Sequence, residues 1–221
     1  MAIFFRMAFA VSNRALVTFA VGNHKQLLEL AMPAFEEYAD THGYDLLTPT
    51  LDGPCARPPS WWKVPMLRRA LEDYDEVLWL DCDVAITERG MQDNIAGYVP
   101  ADAWQALVEH HTLDGDVPNL GVWFLRRPMI PVLEKMWQAT RYIAHGWWEQ
   151  AAMLDLLGYQ HEPRPCRAGP STELRERTEW LLREWNSHEQ GDRHPNPRFA
   201  HVTPNSVEWR LPIMRSYLAA A

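Results

Sequence analysis

Two carboxylates one residue apart, Asp81 and Asp83, close the apolar run "VLWL" in the stretch "EVLWLDCDVAIT". Such a run reads as a buried strand, and the carboxyl ends of strands are where open α/β sheets keep their ligands. Alternate strand positions share a face, so strand geometry continued to residue 83 places Asp81 and Asp83 together and turns Cys82 away. Adjacent carboxylates repel unless one is protonated or a cation lies between them. Oxygen ligands of this hardness suit Mg²⁺ or Mn²⁺, ions that commonly bridge protein carboxylates to the phosphates of a substrate. The plainer alternative is that both residues cap the following turn with Thr87.

The pair needs a scaffold, and the pattern on either side supplies one. "ALVTFAV" (15–21) is a β-branched apolar strand, and Gly22-Asn23-His24 is turn chemistry before a helix. Leu27, Leu28, Ala31, Phe35, Tyr38 and Ala39 share one helical face, with Gly43 as the stop. Pro33 conflicts with that helix and predicts a kink or break. "YDLLT" reads as a second strand, the four prolines between Pro49 and Ser60 as a loop, and "WWKVPMLRRALEDY" as a helix restarting around Pro65. After the acidic strand, "AWQALVEHH" and "NLGVWFLRR" read as strands joined by a polar loop, 111–118. Helices are expected at about 129–143 and at 148–157, the second ending at Gly158. "TEWLLREWNSH" is ambiguous between helix and strand, and "RFAHV" is a short strand that places His201 at its end. Strands alternating with helices make a single α/β domain over residues 1–221, with residues 1–14 as an N-terminal tail.

Composition bounds the function. The 221 residues suffice for one sizeable core, and 47% apolar with 23% charged residues is ordinary globular composition. A formal net charge of -8 gives no basic footprint for nucleic acid or an anionic membrane. Cys55, Cys82 and Cys166 have no CxxC spacing, so neither a disulfide framework nor a zinc cluster is signalled, and a reducing cytoplasm suits them. The apolar N-terminal stretch is interrupted by Arg6, Asn13 and Arg14, which argues against an export signal or a membrane anchor. Met7 is an alternative start.

Read in order, "LVTFAVGNH" with Thr18, "YADTHGYDL", "WWKVPMLRRAL" with Lys63, "EVLWLDCDVAI", "NLGVWFLRR" with Asn119 and Gly121, "WWEQAAM", "EWNSH" and "FAHV" resemble the GT-A glycosyltransferases. The chain looks nearest to the galactosyltransferase and mannosyltransferase family 34 of the yeast Golgi type, with family 8 as a cousin. The resemblance spans residues 15–203. It implies a Rossmann-like GT-A domain whose mixed, mostly parallel central sheet is flanked by helices. It also implies Mn²⁺ (or Mg²⁺) held by Asp81, Asp83 and His201, and a nucleotide diphosphate sugar as donor. Thr18 falls in the donor-binding first strand, Lys63 matches a basic position near the donor sugar or phosphate, and Asn119 and Gly121 match a segment lining the sugar pocket. Glu149 matches an acid that holds a sugar hydroxyl, one methylene longer than the usual aspartate. Gln150 matches a glutamine beneath the anomeric carbon.

The implied activity is transfer of a hexosyl unit to an acceptor hydroxyl with retention of configuration. The family 8 pattern continues past its histidine with a glycine and a phosphate-binding lysine, where this chain has Pro204 and Val207; Arg210 or Arg198 is the alternative source of positive charge. The residues themselves carry plainer readings: Lys63 as a solvated helix start, Glu149 and Gln150 as first-turn helix residues, His201 as a strand-end histidine. His110, His111, His188 and His194 read as solvated, and Trp61-Trp62 and Trp147-Trp148 as sugar-stacking pairs or core. Two other functions stay open. One is a degenerate nucleotide-sugar or glycan-binding protein, and the other is a haloacid dehalogenase-type phosphatase, which "LDCDVAIT" also resembles.

Overall fold

The computed structural model describes residues 3–4, 13–51, 56–189, 191–203 and 206–218. Cys55, Pro204 and most of the expected tail 1–14 lie outside these. Within that tail, Ile3–Phe4 pairs antiparallel with Thr50–Leu51, and Arg14 already belongs to the first strand of the main sheet.

The chain opens with β1 (Arg14–Val17), α1 (Lys25–His42) and β2 (Asp45–Leu47), followed by α2 (Lys63–Asp73) and β3 (Glu76–Leu80). Then come β4 (Val84–Ile86), β5 (Gln105–Thr112), β6 (Gly115–Arg126), α3 (Ile130–Gln138) and α4 (Trp148–Leu156). The last elements are β7 (Thr178–Trp180), β8 (Ser187–His188), β9 (Phe199–His201) and α5 (Val207–Leu218). Among the described residues the main sheet has the order β7-β5-β6-β3-β1-β2. Its strands point one way except β6, which is antiparallel to both neighbours. The sheet is therefore mixed and mostly parallel, as expected.

Period-two alternation divides the core. Ala15, Val17, Val77 and Trp79 pack with α2, α3 and α4 on one face, while Leu16, Leu78 and Leu80 pack with α1 and α5 on the other. Burial on both faces is why β1 and β3 are uninterrupted apolar runs.

Several local expectations change. Strand β3 stops at Leu80, and a turn with Val84 N–H on Asp81 C=O (3.0 Å) carries the acidic pair. Asp81 and Asp83 therefore meet through a turn, not through strand alternation. Pro33 does not break α1: it lies on the solvent face, where water can satisfy the Glu29 carbonyl that loses its amide partner. Residues 111–118 are not a loop but the end of a long hairpin turning at Leu113-Asp114, with Gly115, the first residue of the return strand, at φ 101°. The helix expected at about 129–143 ends at Gln138 and gives way to a 3₁₀ turn at Thr140–Tyr142. "TEWLLREWNSH" splits into β7, a 3₁₀ turn (Arg183–Asn186) and β8.

A second small sheet, β8-β9-β4, brings the two halves of the chain together. His201 pairs with Val84 in its antiparallel register, and Val202 N–H bonds Asp83 C=O at 2.9 Å. That pairing sets residue 201 against residue 83.

Candidate functional site

A cavity of about 880 Å³ opens at the carboxyl ends of β1 and β3. Phe19, Val21, Ser60, Trp147 and Trp148 line it together with Asp81, Asp83 and His201.

Each carboxylate has a built-in cation. Asp81 Oδ1 receives Lys63 Nζ (2.9 Å) and Trp79 Nε1 (2.6 Å), while Oδ2 lies 3.9 Å from His201 Nε2. Asp83 Oδ2 receives Arg210 Nη1 (2.7 Å), and its Oδ1 lies 3.3 Å from His201 Nε2. One ligand atom from each of Asp81, Asp83 and His201 falls within 4.8 Å of the others. An octahedral ion with bonds of about 2.1 Å puts its ligands about 3 Å apart on an edge and about 4.2 Å apart across the centre, and the 3.3 and 3.9 Å separations from His201 Nε2 lie within that span. Asp83 and His201 are buried while Asp81 is partly open to the cavity, so positions on that side remain for oxygens of a bound molecule. Burial pushes the Asp83 carboxyl up, yet His201 and Arg210 outweigh it and hold the carboxyl down at about 2. Asp83 is a carboxylate at neutral pH.

Lys63 is not the solvated helix start its position offers. It is 4% exposed, and besides Asp81 it reaches Glu149 Oε1 (3.2 Å) and the Leu120 carbonyl (3.3 Å). Burial opposes its charge, but Asp81 and Glu149 prevail and keep the ammonium above the ordinary lysine range. Glu149 stands in the first turn of α4, as a helix-start acid would, yet it is buried and its Oε2 has no hydrogen-bond partner. Gln150, the next residue, lines the cavity and accepts from Asn119 Nδ2 at 3.3 Å.

Asn119 and Gly121 alternate on β6 toward the cavity. A Cβ on Gly121 would stand 2.1 Å from His201 Cε1 and 2.9 Å from Asn119 Oδ1, so the glycine makes room for the imidazole. Thr18 lies apart from the cavity lining: it is fully buried, its hydroxyl has no partner, and Phe19, Ala20 and Val21 line the wall instead.

Of the two arginines, Arg210 comes to the site. Arg198 is buried against Glu184 and Asp93, beside Trp185. His110 and His188 are not both solvated surface groups. His110 is 2% exposed, bonds Asp192 (3.1 Å), and is pushed down to about 4 by its burial. The His188 ring contacts both the His110 ring, tilted, and the His201 ring, edge-on. The Trp61-Trp62 pair is core, whereas Trp147 and Trp148 reach the cavity. Trp148 is half exposed at φ 45°, a backbone conformation uncommon for a bulky residue. Burial raises the Cys82 thiol well above its usual range, which removes it as a nucleophile. Asn186, within "EWNSH", carries no local sequence signal of a role; it is fully buried behind His201, to which it is hydrogen bonded at 3.0 Å.

Solved structures share this architecture. A glycosyltransferase involved in the glycosylation of the major capsid of PBCV-1 superposes with a TM-score of 0.68 at 13% identity, over 91% of this chain and 98% of that one. The fold is GT-A. Two further GT-A neighbours are GlyE of Streptococcus pneumoniae TIGR4 (TM-score 0.63, 14% identity, 94% of this chain and 60% of that) and the bifunctional WbbM (0.59, 11%, 92% and 48%). This chain thus spans about three-fifths of GlyE and about half of WbbM. No protein-family model and no curated sequence matches it.

Proposed function

We propose that the chain is a metal-dependent glycosyltransferase that moves a hexosyl unit from a nucleotide diphosphate sugar to an acceptor hydroxyl. The observation that carries this reading is the convergence of Asp81, Asp83 and His201 beside a large cavity at the strand ends of a GT-A fold. The donor set, two carboxylates and an imidazole, suits Mn²⁺, with Mg²⁺ as the alternative. When bound, the divalent ion neutralises charge growing on the departing diphosphate.

The chain's own residues divide the remaining work. Asp81, Asp83 and His201 would hold the ion. Lys63 orients the Asp81 carboxylate and Arg210 that of Asp83, and Arg210 sets a guanidinium on the cavity wall as an alternative to the lysine of the family 8 pattern. The unpaired Glu149 Oε2 supports a hydroxyl donor as its partner, such as a donor-sugar hydroxyl. Gln150 offers its side-chain dipole to a positively charged sugar ring in the transition state. The likeness to families 34 and 8 supports a retaining reaction. Cys82 and Cys166 are free and buried, in keeping with a reducing cytoplasm, and no helix among the described residues is long and apolar enough to cross a membrane.

Slow hydrolysis of the donor tests the reading without knowledge of the acceptor. Incubation with UDP-, GDP- and ADP-hexoses and Mn²⁺ should release the nucleoside diphosphate from one class, and chelation should stop it. Metal-dependent donor binding without any hydrolysis or transfer would favour a binding protein. Hydrolysis of a simple aryl phosphate, with none of a nucleotide sugar, would favour a phosphatase.

A further inference from the structure

His201 has two ring nitrogens, and the hydrogen bonds around it decide which one carries a proton. The decision starts from a group whose polarity is fixed. The backbone N–H of Gly121 donates to Asn119 Oδ1 at 2.8 Å, so that atom of the side-chain amide is the oxygen. The same oxygen lies 2.9 Å from Asn186, so Asn186 must present its NH₂ there. The Asn186 amide then turns its oxygen to His201 Nδ1, 3.0 Å away, and an amide oxygen only accepts. Nδ1 must be the donor. On the other limb, the Asn119 NH₂ donates to Gln150 Oε1. Asn186 is fully buried and His201 is 3% exposed, so water does not compete for these bonds.

We propose that Asn186 is a positioning residue for a divalent cation: through a one-directional relay that begins at the Gly121 N–H, it fixes His201 with its proton on Nδ1 and leaves Nε2 as the ligand atom. The inference rests on the metal-site reading above. Nε2 is the nitrogen that faces Asp83 Oδ1 and Asp81 Oδ2. Without Asn186 the neutral ring prefers the opposite tautomer, because a proton on Nε2 then donates to the Asp83 carboxylate. That proton would occupy the position the cation needs. A partner on the non-ligating nitrogen is the general means by which proteins orient a histidine ligand.

The tautomer is read in the metal-free protein by long-range ¹H–¹⁵N NMR at pH 9, and Mn²⁺ affinity by the EPR signal of the free ion. Native His201 should carry its proton on Nδ1. Asn186→Leu should move the proton to Nε2 and weaken Mn²⁺ binding by about 10- to 100-fold. Asn186→Asp keeps an acceptor opposite Nδ1 and should retain the native tautomer, although its second carboxylate oxygen faces Asn119 Oδ1 and should lower stability; a residue needed only for packing would not predict that the tautomer survives. A native Nε2–H tautomer, unchanged Mn²⁺ affinity in Asn186→Leu, or loss of the Nδ1 proton in Asn186→Asp would overturn the proposal. Should the native protein bind no Mn²⁺, the metal reading fails, and the tautomers of the native and Asn186→Asp proteins still decide the relay.

Discussion

The His201 imidazole fills the space where a side chain on Gly121 would stand, with a Cβ there only 2.1 Å from Cε1. Neither the 80-residue gap between them nor the local sequence of either predicts this contact. Gly121→Ala should therefore displace His201 rather than alter the cavity wall. The expected outcome is a loss of about 1–3 kcal/mol in stability, the usual range for overpacking, together with a marked fall in Mn²⁺ affinity. Denaturant titration and metal titration of the variant check both. Native Mn²⁺ affinity in Gly121→Ala would show that the imidazole does not act from this seat.

Lys63 is the shared cation of Asp81 and Glu149. Lys63→Met should cost roughly 3 kcal/mol, since breaking a buried pair strands a charge away from water. Glu149→Gln in the same protein should recover part of that loss, because the neutral amide no longer needs the ammonium. A double-mutant cycle on urea midpoints measures the coupling. Strict additivity of the two substitutions would show that the pair is not coupled.

Asp83 makes stability depend on acid. Its folded-state pKa, about 2, is below the usual unfolded value of about 3.9, so its contribution is complete above that value and is lost as pH falls toward 2. The stability gap between native protein and Asp83→Asn should thus narrow from pH 5 to pH 2.5. A constant gap across that window would refute the assignment. The pairing also corrects a simple repulsion argument. Asp83→Ala relieves little crowding, because Asp81 and Asp83 already have Lys63 and Arg210, and the metal-free variant should be less stable than native.

Gln150→Ala should lower kcat by roughly 10- to 1,000-fold with donor KM nearly constant, as expected when a contact made mainly in the transition state is lost. Glu149→Ala should instead raise donor KM and also lower stability, since Lys63 loses one of its two carboxylates. Steady-state kinetics on donor hydrolysis separates the two patterns. Near-native turnover in both variants would leave Glu149 as the buried partner of Lys63 alone and Gln150 as a plain helix-start residue.

Part of the site is legible in the amino-acid sequence alone. Apolar β3 and the spacing of Asp81 and Asp83 announce charge at a strand end, and "RFAHV" places His201 on a short strand, because both signals are local. The partners of these residues are not legible there. Lys63, Asp81 and Glu149 meet only after α2, β3 and α4 pack together, and Asn186 gains its meaning from Asn119, 67 positions away. Helix α5, which carries Arg210, is obscured by Pro212; buried Val207 and Met214, seven residues apart, are the available sign. The hairpin end at Leu113-Asp114 passes for a polar loop because its alternation is masked by His111, Thr112 and Asp116.

The most direct measurement is calorimetric titration of the responsive nucleotide diphosphate hexose into native protein and Asp83→Asn, each with Mn²⁺ and with chelator. A metal-bridged donor predicts binding to the native protein that is at least tenfold tighter with Mn²⁺, by the same mass-action linkage that would raise its thermal stability, and no Mn²⁺ effect in Asp83→Asn. Equal donor affinity with and without Mn²⁺ in the native protein, or an Mn²⁺ effect that survives in Asp83→Asn, would contradict it.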